Sequence, residues 1–210
     1  MKKTIVLLTT LLMTQLFSFA QLQEPSALHG KEYGSYYIKN LKQGALVMRL
    51  NFKTKAINAL LKADNPNGAN QIRYQQAEIN SVIMNAFSKH FKFCPVFFIS
   101  YDSTFAFVEG RRSAIFLDNN LQIDTAIKPA TDFFLVAELG TLETKVASDE
   151  LIDGQETAQH GLIDNALVIL NENLRPLHDP FPYYVRQQQN WDSRIKKLDK
   201  KFQKYYEMNK

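Results

Sequence analysis

The 210-residue sequence contains one cysteine and no long hydrophobic segment after its first twenty residues. The single cysteine, Cys94, cannot form an intramolecular disulfide, so the hydrophobic core must stabilise the fold. Beyond residue 20 no stretch approaches the roughly 18 apolar residues of a membrane-spanning helix, which excludes a multi-span membrane protein. The 45% of hydrophobic and 12% of aromatic residues exclude collagen-like, coiled-coil and disordered chains.

The usual motifs of catalysis and cofactor binding are also missing. There is no Gly-x-Ser-x-Gly elbow and no glycine-rich phosphate loop. The histidines, at positions 29, 90, 160 and 178, are too widely spaced for a zinc motif. The segment DNPNG at 64–68 lacks the oxygen ligand that a calcium loop needs at its third position, which is Pro66. The sequence therefore predicts no catalytic, cofactor-binding or metal-binding residue.

Residues 1–20 have the pattern of a secretory signal peptide. Lys2 and Lys3 precede an apolar run from Ile5 to Phe19, and small residues stand at 18 and 20. This pattern predicts cleavage between Ala20 and Gln21. It also predicts an exported protein that is periplasmic or secreted.

The basic character of the chain is concentrated at its carboxyl end. The formal charge is +4, and residues 186–210 carry eight basic and three acidic side chains, a net +5. Without the predicted signal peptide, the rest of the chain is then −3. A nucleic-acid-binding domain usually spreads positive charge over a whole face, so the sequence predicts no nucleic-acid partner.

The pattern of apolar segments predicts an α/β (α+β) fold with a single domain. We expect a polar N-terminal arm at 21–44 with at most one short strand, an α/β domain at 45–186, and a basic amphipathic helix at 187–210. The domain begins with a strand at Ala45–Phe52, and a helix pair follows at Thr54–Ala63 and Asn70–Phe91. The segment 64–68 is expected to end the first of these helices.

The remaining apolar segments predict a mixed sheet of five to seven strands. The expected strands are Val96–Tyr101, Thr104–Glu109, Ser113–Asp118, Leu121–Asp124, Asp132–Leu139 and Leu167–Asn171. Residues 141–164 are polar and are expected to form a long loop, with room for one strand at Glu143–Val146. The segments Ile115–Gln122 and Val168–Arg175 have similar patterns, which we interpret as two hairpin turns of the same kind.

The last predicted helix carries a continuous apolar stripe. Trp191, Ile195, Leu198, Phe202 and Tyr205 step by 4, 3, 4 and 3, and Asn190 is a suitable N-cap. Three functions fit this helix: docking on its own domain, binding a protein partner, or contacting an anionic membrane surface. The sequence does not decide between them.

An aromatic and proline-rich segment precedes that helix. Phe181, Tyr183 and Tyr184, together with Trp191, are candidate partner-binding residues that could stack on an envelope protein or a glycan. The alternative is a strap that packs on the core of the domain. The sequence leaves both open.

Three stretches carry a resemblance to other proteins. Phe93–Ser100, Phe133–Thr141 and Asp179–Arg186 resemble uncharacterised exported proteins of Gram-negative bacteria, and the segment Phe17–Gln21 is similar to the end of their signal peptides. That group has no established activity, so the resemblance implies export but no functional residue.

The leading functional hypothesis is therefore a non-catalytic envelope or secreted binding protein. The alternative is an envelope hydrolase with a dispersed active site. That hypothesis requires the titratable residues Asp102, Glu109, Arg111, His160 and Asp164 to meet in one cleft.

Overall fold

A computed structural model describes residues 27–146 and 159–210, with the side chains of 144–146 and 159–161 outside the description. The described residues form five α-helices and one five-stranded mixed sheet, which confirms the predicted α+β class. In chain order the elements are α1 (Gly30–Gln43), β1 (Ala45–Leu50), α2 (Thr54–Lys62), α3 (Pro66–His90), β2 (Val96–Ser100), α4 (Thr104–Val108), β3 (Phe134–Val146), β4 (Gln159–Leu170), β5 (Tyr184–Val185) and α5 (Trp191–Glu207). The predicted signal peptide lies outside the described residues.

The strand β1 is central to the parallel part of the sheet. The strand order is β2-β1-β3-β4-β5, and β1 is parallel to both of its neighbours. The strands β3, β4 and β5 pair antiparallel. All six residues of β1 are buried, as expected for a parallel strand that is covered on both faces.

Two apolar layers cover the two faces of the sheet. Leu46 and Met48 belong to the larger core, which also contains the buried faces of α1, α3 and α5. Val47 lies on the opposite face with Phe107 of α4 and with Phe116. This alternation follows from the two-residue period of a strand.

The predicted N-terminal arm is wrong, because most of it forms helix α1. Tyr33, Tyr37, Ile38 and Leu41 of this helix are buried in the core. Gly34 and the polar residues between these positions make the helical spacing of the apolar residues hard to recognise in the sequence. Residues 21–26 of the predicted arm lie outside the described residues.

Gly44 allows β1 to begin directly after α1. A Cβ at this position would lie 2.5 Å from the backbone oxygen of Phe133, at the start of the neighbouring strand β3. The Gly44 amide also donates to the Asn40 carbonyl oxygen at 2.8 Å, which closes the helix. A larger residue would separate the helix from the sheet.

The helix pair after β1 is confirmed, but its second helix begins earlier than predicted. The Asn65 side chain accepts a hydrogen bond from the Gly68 amide at 2.9 Å, and Pro66 occupies the first helical position. Proline is favoured there because the first amides of a helix need no carbonyl partner within it. The segment 64–68 therefore starts α3 as well as ending α2.

The strand predicted at Thr104–Glu109 is wrong, since Thr104–Val108 forms helix α4. The Thr104 hydroxyl donates to the Tyr101 carbonyl oxygen at 2.6 Å, and the chain turns helically from there. Only Phe107 of this helix is buried, while Phe105 is exposed. A segment of five residues is too short for its apolar pattern to distinguish a helix from a strand.

The strands predicted at Ser113–Asp118 and Leu121–Asp124 form only isolated bridges. Ile99 pairs with Phe116, and Leu117 pairs with Ile123. The predicted loop at 141–164 is also wrong in part, because β3 continues to Val146 and β4 begins at Gln159. The pairing of β3 with β1 ends at Ala137, and the outer part of β3 pairs with β4.

The two similar segments do form turns of the same kind. Asp118 Oδ1 accepts from the amides of residues 120 and 122, each at 2.8 Å. Asn171 Oδ1 accepts from the amides of residues 173 and 175, at 3.0 and 2.9 Å. Leu121 and Leu174 occupy the same position in the two turns and have φ of 62° and 58°.

The carboxyl-terminal helix is formed as predicted and docks on its own domain. Asn190 caps α5 by accepting a hydrogen bond from the Ser193 amide at 2.8 Å. Ile195, Leu198 and Phe202 are fully buried in the larger core. The apolar stripe is therefore covered by the domain.

Candidate functional site

A polar pocket opens at the carboxyl end of β1. We call it the β1 pocket; its volume is about 380 Å³. Open α/β sheets place ligand sites at the carboxyl ends of parallel strands. The side chains that line it come from β1, α3, β3, β4 and the segments after β1 and β2: Met48, Arg49, Asn51, Lys53, Gln76, Ile79, Asn80, Ile83, Tyr101, Glu138, Leu139 and Asn165.

A buried ion pair forms one wall of the pocket. Arg49 is the one charged residue of β1, and its Nη1 donates a hydrogen bond to Oε2 of Glu138 on β3. The exposed fractions of the two side chains are 6% and 19%. Burial raises the pKa of Glu138, and the positive charge of Arg49 opposes that rise. A buried pair gives little net stability, because removing both charges from water costs about as much as their attraction returns.

The Arg49 guanidinium has a second neighbour and one unsatisfied donor. Its central carbon lies 3.7 Å from the centre of the Tyr101 ring, which is cation–π geometry. Its Nε is buried and has no hydrogen-bond partner among the described residues. A buried donor without an acceptor is costly, so this atom marks a place where an acceptor from outside the chain would be favourable.

Amide side chains of α3 form the opposite wall. Asn80 is fully buried, and its Nδ2 donates to the Asn51 carbonyl oxygen at 2.9 Å. Gln76, one turn earlier, is also buried and donates from Nε2 to Asn80 Oδ1 at 3.2 Å. The bond to Asn51 fixes the helix against the end of β1, and the bond from Gln76 within the helix orients the Asn80 side chain. They leave further amide atoms available at the pocket.

Two residues of the pocket have left-handed backbone conformations. Lys53 has φ of 56° and Asn165 has φ of 50°. The Lys53 amide donates to Asn51 Oδ1 at 2.7 Å, which holds this turn. Asn165 lies within the irregularity where the pairing of β3 with β4 shifts, between Ile163 and Ala166. Such conformations cost free energy in residues other than glycine and are concentrated at functional sites.

One of the predicted partner-binding residues has no exposed surface. Phe181 is fully buried, and its ring packs against those of Tyr37, Phe202 and Tyr205. It is a core residue and presents no surface to a partner. Phe181 therefore fits the alternative in which this segment is a strap that packs on the core of the domain.

The other three predicted residues are half-buried. The rings of Tyr183 and Tyr184 meet edge to face at 5.0 Å, and Lys201 Nζ lies 5.1 Å from the centre of the Tyr184 ring. Trp191 lies beside the Arg194 guanidinium, at 4.5 Å. Each is occupied by contacts within the chain, and none lines the β1 pocket.

The titratable residues of the hydrolase hypothesis are held by separate partners. Asp102 Oδ2 accepts from the Thr54 hydroxyl at 2.6 Å, and Asp164 Oδ1 accepts from the Thr141 hydroxyl at 2.9 Å. Glu109 forms an exposed ion pair with Arg111 at 2.6 Å. The side chain of the fifth residue, at position 160, lies outside the described residues. None of the four described residues lines the β1 pocket.

The sequence analysis missed the residues of the β1 pocket. A signal was present: the apolar runs Ala45–Leu50 and Phe133–Leu139 each contain a single charged residue, Arg49 and Glu138. Charged residues are rarely fully buried unless they are paired, so a lone charge in each of two neighbouring strands suggests a pair. The sequence alone did not show that β1 and β3 are neighbours.

Comparisons with known protein families, with curated proteins and with solved structures find no match. In the described ranges no helix is both long and apolar enough to cross a membrane. Within 27–146 and 159–210, no three His, Cys, Asp or Glu side chains gather as they would around a metal ion. The geometry of the β1 pocket therefore carries the functional argument.

Proposed function

We propose that the chain is an exported, non-catalytic binding protein of the bacterial envelope or the extracellular space, and that its ligand site is the β1 pocket. The observation that carries the binding part is the unpartnered, buried Nε of Arg49 in the wall of an open pocket. The signal-like residues 1–20 support the export part.

The size and the lining of the pocket favour a small molecule as the ligand. Small-molecule sites usually measure about 300–1,000 Å³ and combine apolar walls with a few fixed polar groups. The β1 pocket falls in this range, at about 380 Å³. Its polar groups are held by the buried bonds of Arg49 and Asn80, so they need little rearrangement on binding.

Binding can be tested with two matched variants of helix α3. Ile79 lines the pocket and is 44% exposed, whereas Val82 is 46% exposed and does not line it. Ile79→Trp should fill the pocket, and Val82→Trp should leave it open. Thermal unfolding of the full chain is measured with organic acids, neutral sugars and amines. We expect one class to raise the unfolding temperature of the wild type and the Val82 variant, but not of the Ile79 variant.

Export is tested separately, by expressing the full chain in a Gram-negative host and fractionating the cells. We expect the envelope or the medium to contain a chain whose mass begins at Gln21. The intact polypeptide in the cytosol would contradict export.

In the binding experiment, no stabilisation by any class of compound, or equal stabilisation of the Ile79 and Val82 variants, would contradict binding at the β1 pocket.

A further inference from the structure

We infer that the β1 pocket binds a small organic monocarboxylate, with the carboxylate on Arg49 and the carbon chain on the apolar side of the pocket. This inference rests on the proposed function, because it names the ligand class of the same site. Three features carry it: the hydrogen-bond donors, the charges and the apolar lining.

Hydrogen-bond donors exceed acceptors in this pocket. Arg49 has five N–H groups, and Glu138 accepts from its Nη1. Gln76 and Asn80 each have a second amide N–H beyond the bond described above, and Lys53 adds an ammonium group. The ligand should therefore be rich in acceptors.

The guanidinium of Arg49 is oriented for such a ligand. Glu138 holds it at Nη1 and the Tyr101 ring holds its face, while Nε has no partner among the described residues. Arginine binds a carboxylate best through two parallel N–H groups, one of which can be Nε.

The charges of the lining indicate one negative charge on the ligand. Arg49 and Lys53 are positive and Glu138 is negative, which gives the lining a net charge of +1. A second anionic group would meet Glu138 without a further cation to balance it. A monocarboxylate matches this charge.

The apolar residues of the lining favour an organic acid over an inorganic anion as the ligand. Met48, Ile79, Ile83 and Leu139 line the pocket beside the polar groups. Burying hydrocarbon against them contributes about 25 cal/mol per Å² of apolar surface. Inorganic phosphate has no surface that could use these contacts.

The test compares each acid with its neutral amide on the wild-type full chain. Calorimetric titration is performed with butanoate, hexanoate and benzoate, with the three corresponding amides, and with inorganic phosphate and glucose. We expect at least one acid to bind about tenfold or more tightly than its amide, because only the carboxylate pairs with Arg49 as an anion. We also expect Ile79→Trp to abolish that binding and Val82→Trp to preserve it.

A second variant tests the role of the arginine. Arg49→Lys keeps the positive charge beside Glu138 but removes the paired N–H groups of the guanidinium, so it should weaken the preference for acid over amide. If this variant does not fold, the comparison of acid and amide on the wild-type chain decides the question.

The outcomes separate this inference from the proposed function. Equal affinity for acid and amide, or tighter binding of phosphate, would overturn the carboxylate assignment. Binding of glucose alone that Ile79→Trp abolishes would overturn it too, while supporting the proposed function. Binding of no compound in this set or in the wider panel of acids, sugars and amines would overturn both.

Discussion

A Cβ atom on Gly34 would lie 1.9 Å from the hydroxyl oxygen of Tyr205. Gly34 belongs to α1 and Tyr205 to α5, so the first and last described helices touch where one of them has no side chain. The same Cβ would lie 3.3 Å from Cγ of Pro180. This contact explains why a glycine stands in the middle of a helix, where it normally costs stability.

Gly34→Ala should therefore destabilise the fold by about 1–3 kcal/mol, the usual cost of overpacking. Lys39→Ala, at an exposed position of the same helix, is the control. Tyr205→Phe removes a buried hydroxyl that has no hydrogen-bond partner in the described part of the chain, and it should restore part of the loss in the double variant. Urea unfolding gives the free energy of unfolding of each single variant and of the double variant. Strict additivity of the two substitutions would contradict the contact.

Phe202→Ala should lower the free energy of unfolding by about 3–5 kcal/mol, because this side chain is fully buried among the rings of Phe91, Phe93 and Phe181. Lys200→Ala, on the exposed side of α5, should change it little. Urea unfolding followed by circular dichroism gives both values. A wild-type midpoint for the Phe202 variant would show that α5 does not contribute to the core.

Asn80→Ala should cost about 1–3 kcal/mol, since it removes the hydrogen bond to the Asn51 carbonyl oxygen and the acceptor of Gln76. Asn85→Ala on the same helix is a matched control, because Asn85 is exposed. Chemical unfolding of both variants provides the measurement. Similar losses in the two would mean that the bonds of Asn80 do not fix α3 against β1.

Glu138→Gln should change the pH dependence of stability. Burial raises the pKa of Glu138 in the folded protein, so the folded state retains this proton to a higher pH than the unfolded state does. The contribution is complete below the unfolded pKa, near pH 4, and is lost as the pH rises through the folded pKa. The free energy of unfolding of the wild type, relative to the Gln variant, should therefore fall from about pH 4 upward.

The matched control for this titration is Glu143→Gln, an exposed glutamate on the same strand. Unfolding is measured in urea at several pH values between about 4 and 7. A pH-independent difference between the wild type and the Glu138 variant would contradict the raised pKa.

Cys94 should react slowly with alkylating reagents in the native protein. Burial raises the pKa of its thiol to about 12, against about 8.5 for a free cysteine, and the thiolate is the reactive form. At pH 8 the native thiol should react on the order of a thousandfold more slowly than the thiol of the urea-unfolded chain. Mass spectrometry of iodoacetamide adducts gives both rates, and equal rates would contradict the burial.

The sequence predicted the elements whose signals are local. The five apolar residues of α5 and the cap at Asn190 set both the helix and its start, and the helix pair after β1 follows from the same kind of pattern. The two turns with Asp118 and Asn171 were also recognisable, because each depends on one side chain and the next four residues.

The elements and the site that were missed depend on contacts between distant segments. Helix α1 contains Gly34, and only the close contact with Tyr205 of α5 explains a glycine at this position. Arg49 and Glu138 become a pair only when β3 lies next to β1, 89 positions away. The sequence left Phe181 open between partner binding and packing on the core, and only the neighbouring helices α1 and α5 show that it packs between them.

The contact between the first and the last described helices also constrains how the polypeptide acquires its shape. Since α5 completes the larger core, a nascent chain cannot close that core until the residues of α5 have left the ribosome. Until then, the apolar face of the sheet is not fully covered, and the incomplete chain cannot reach its final fold.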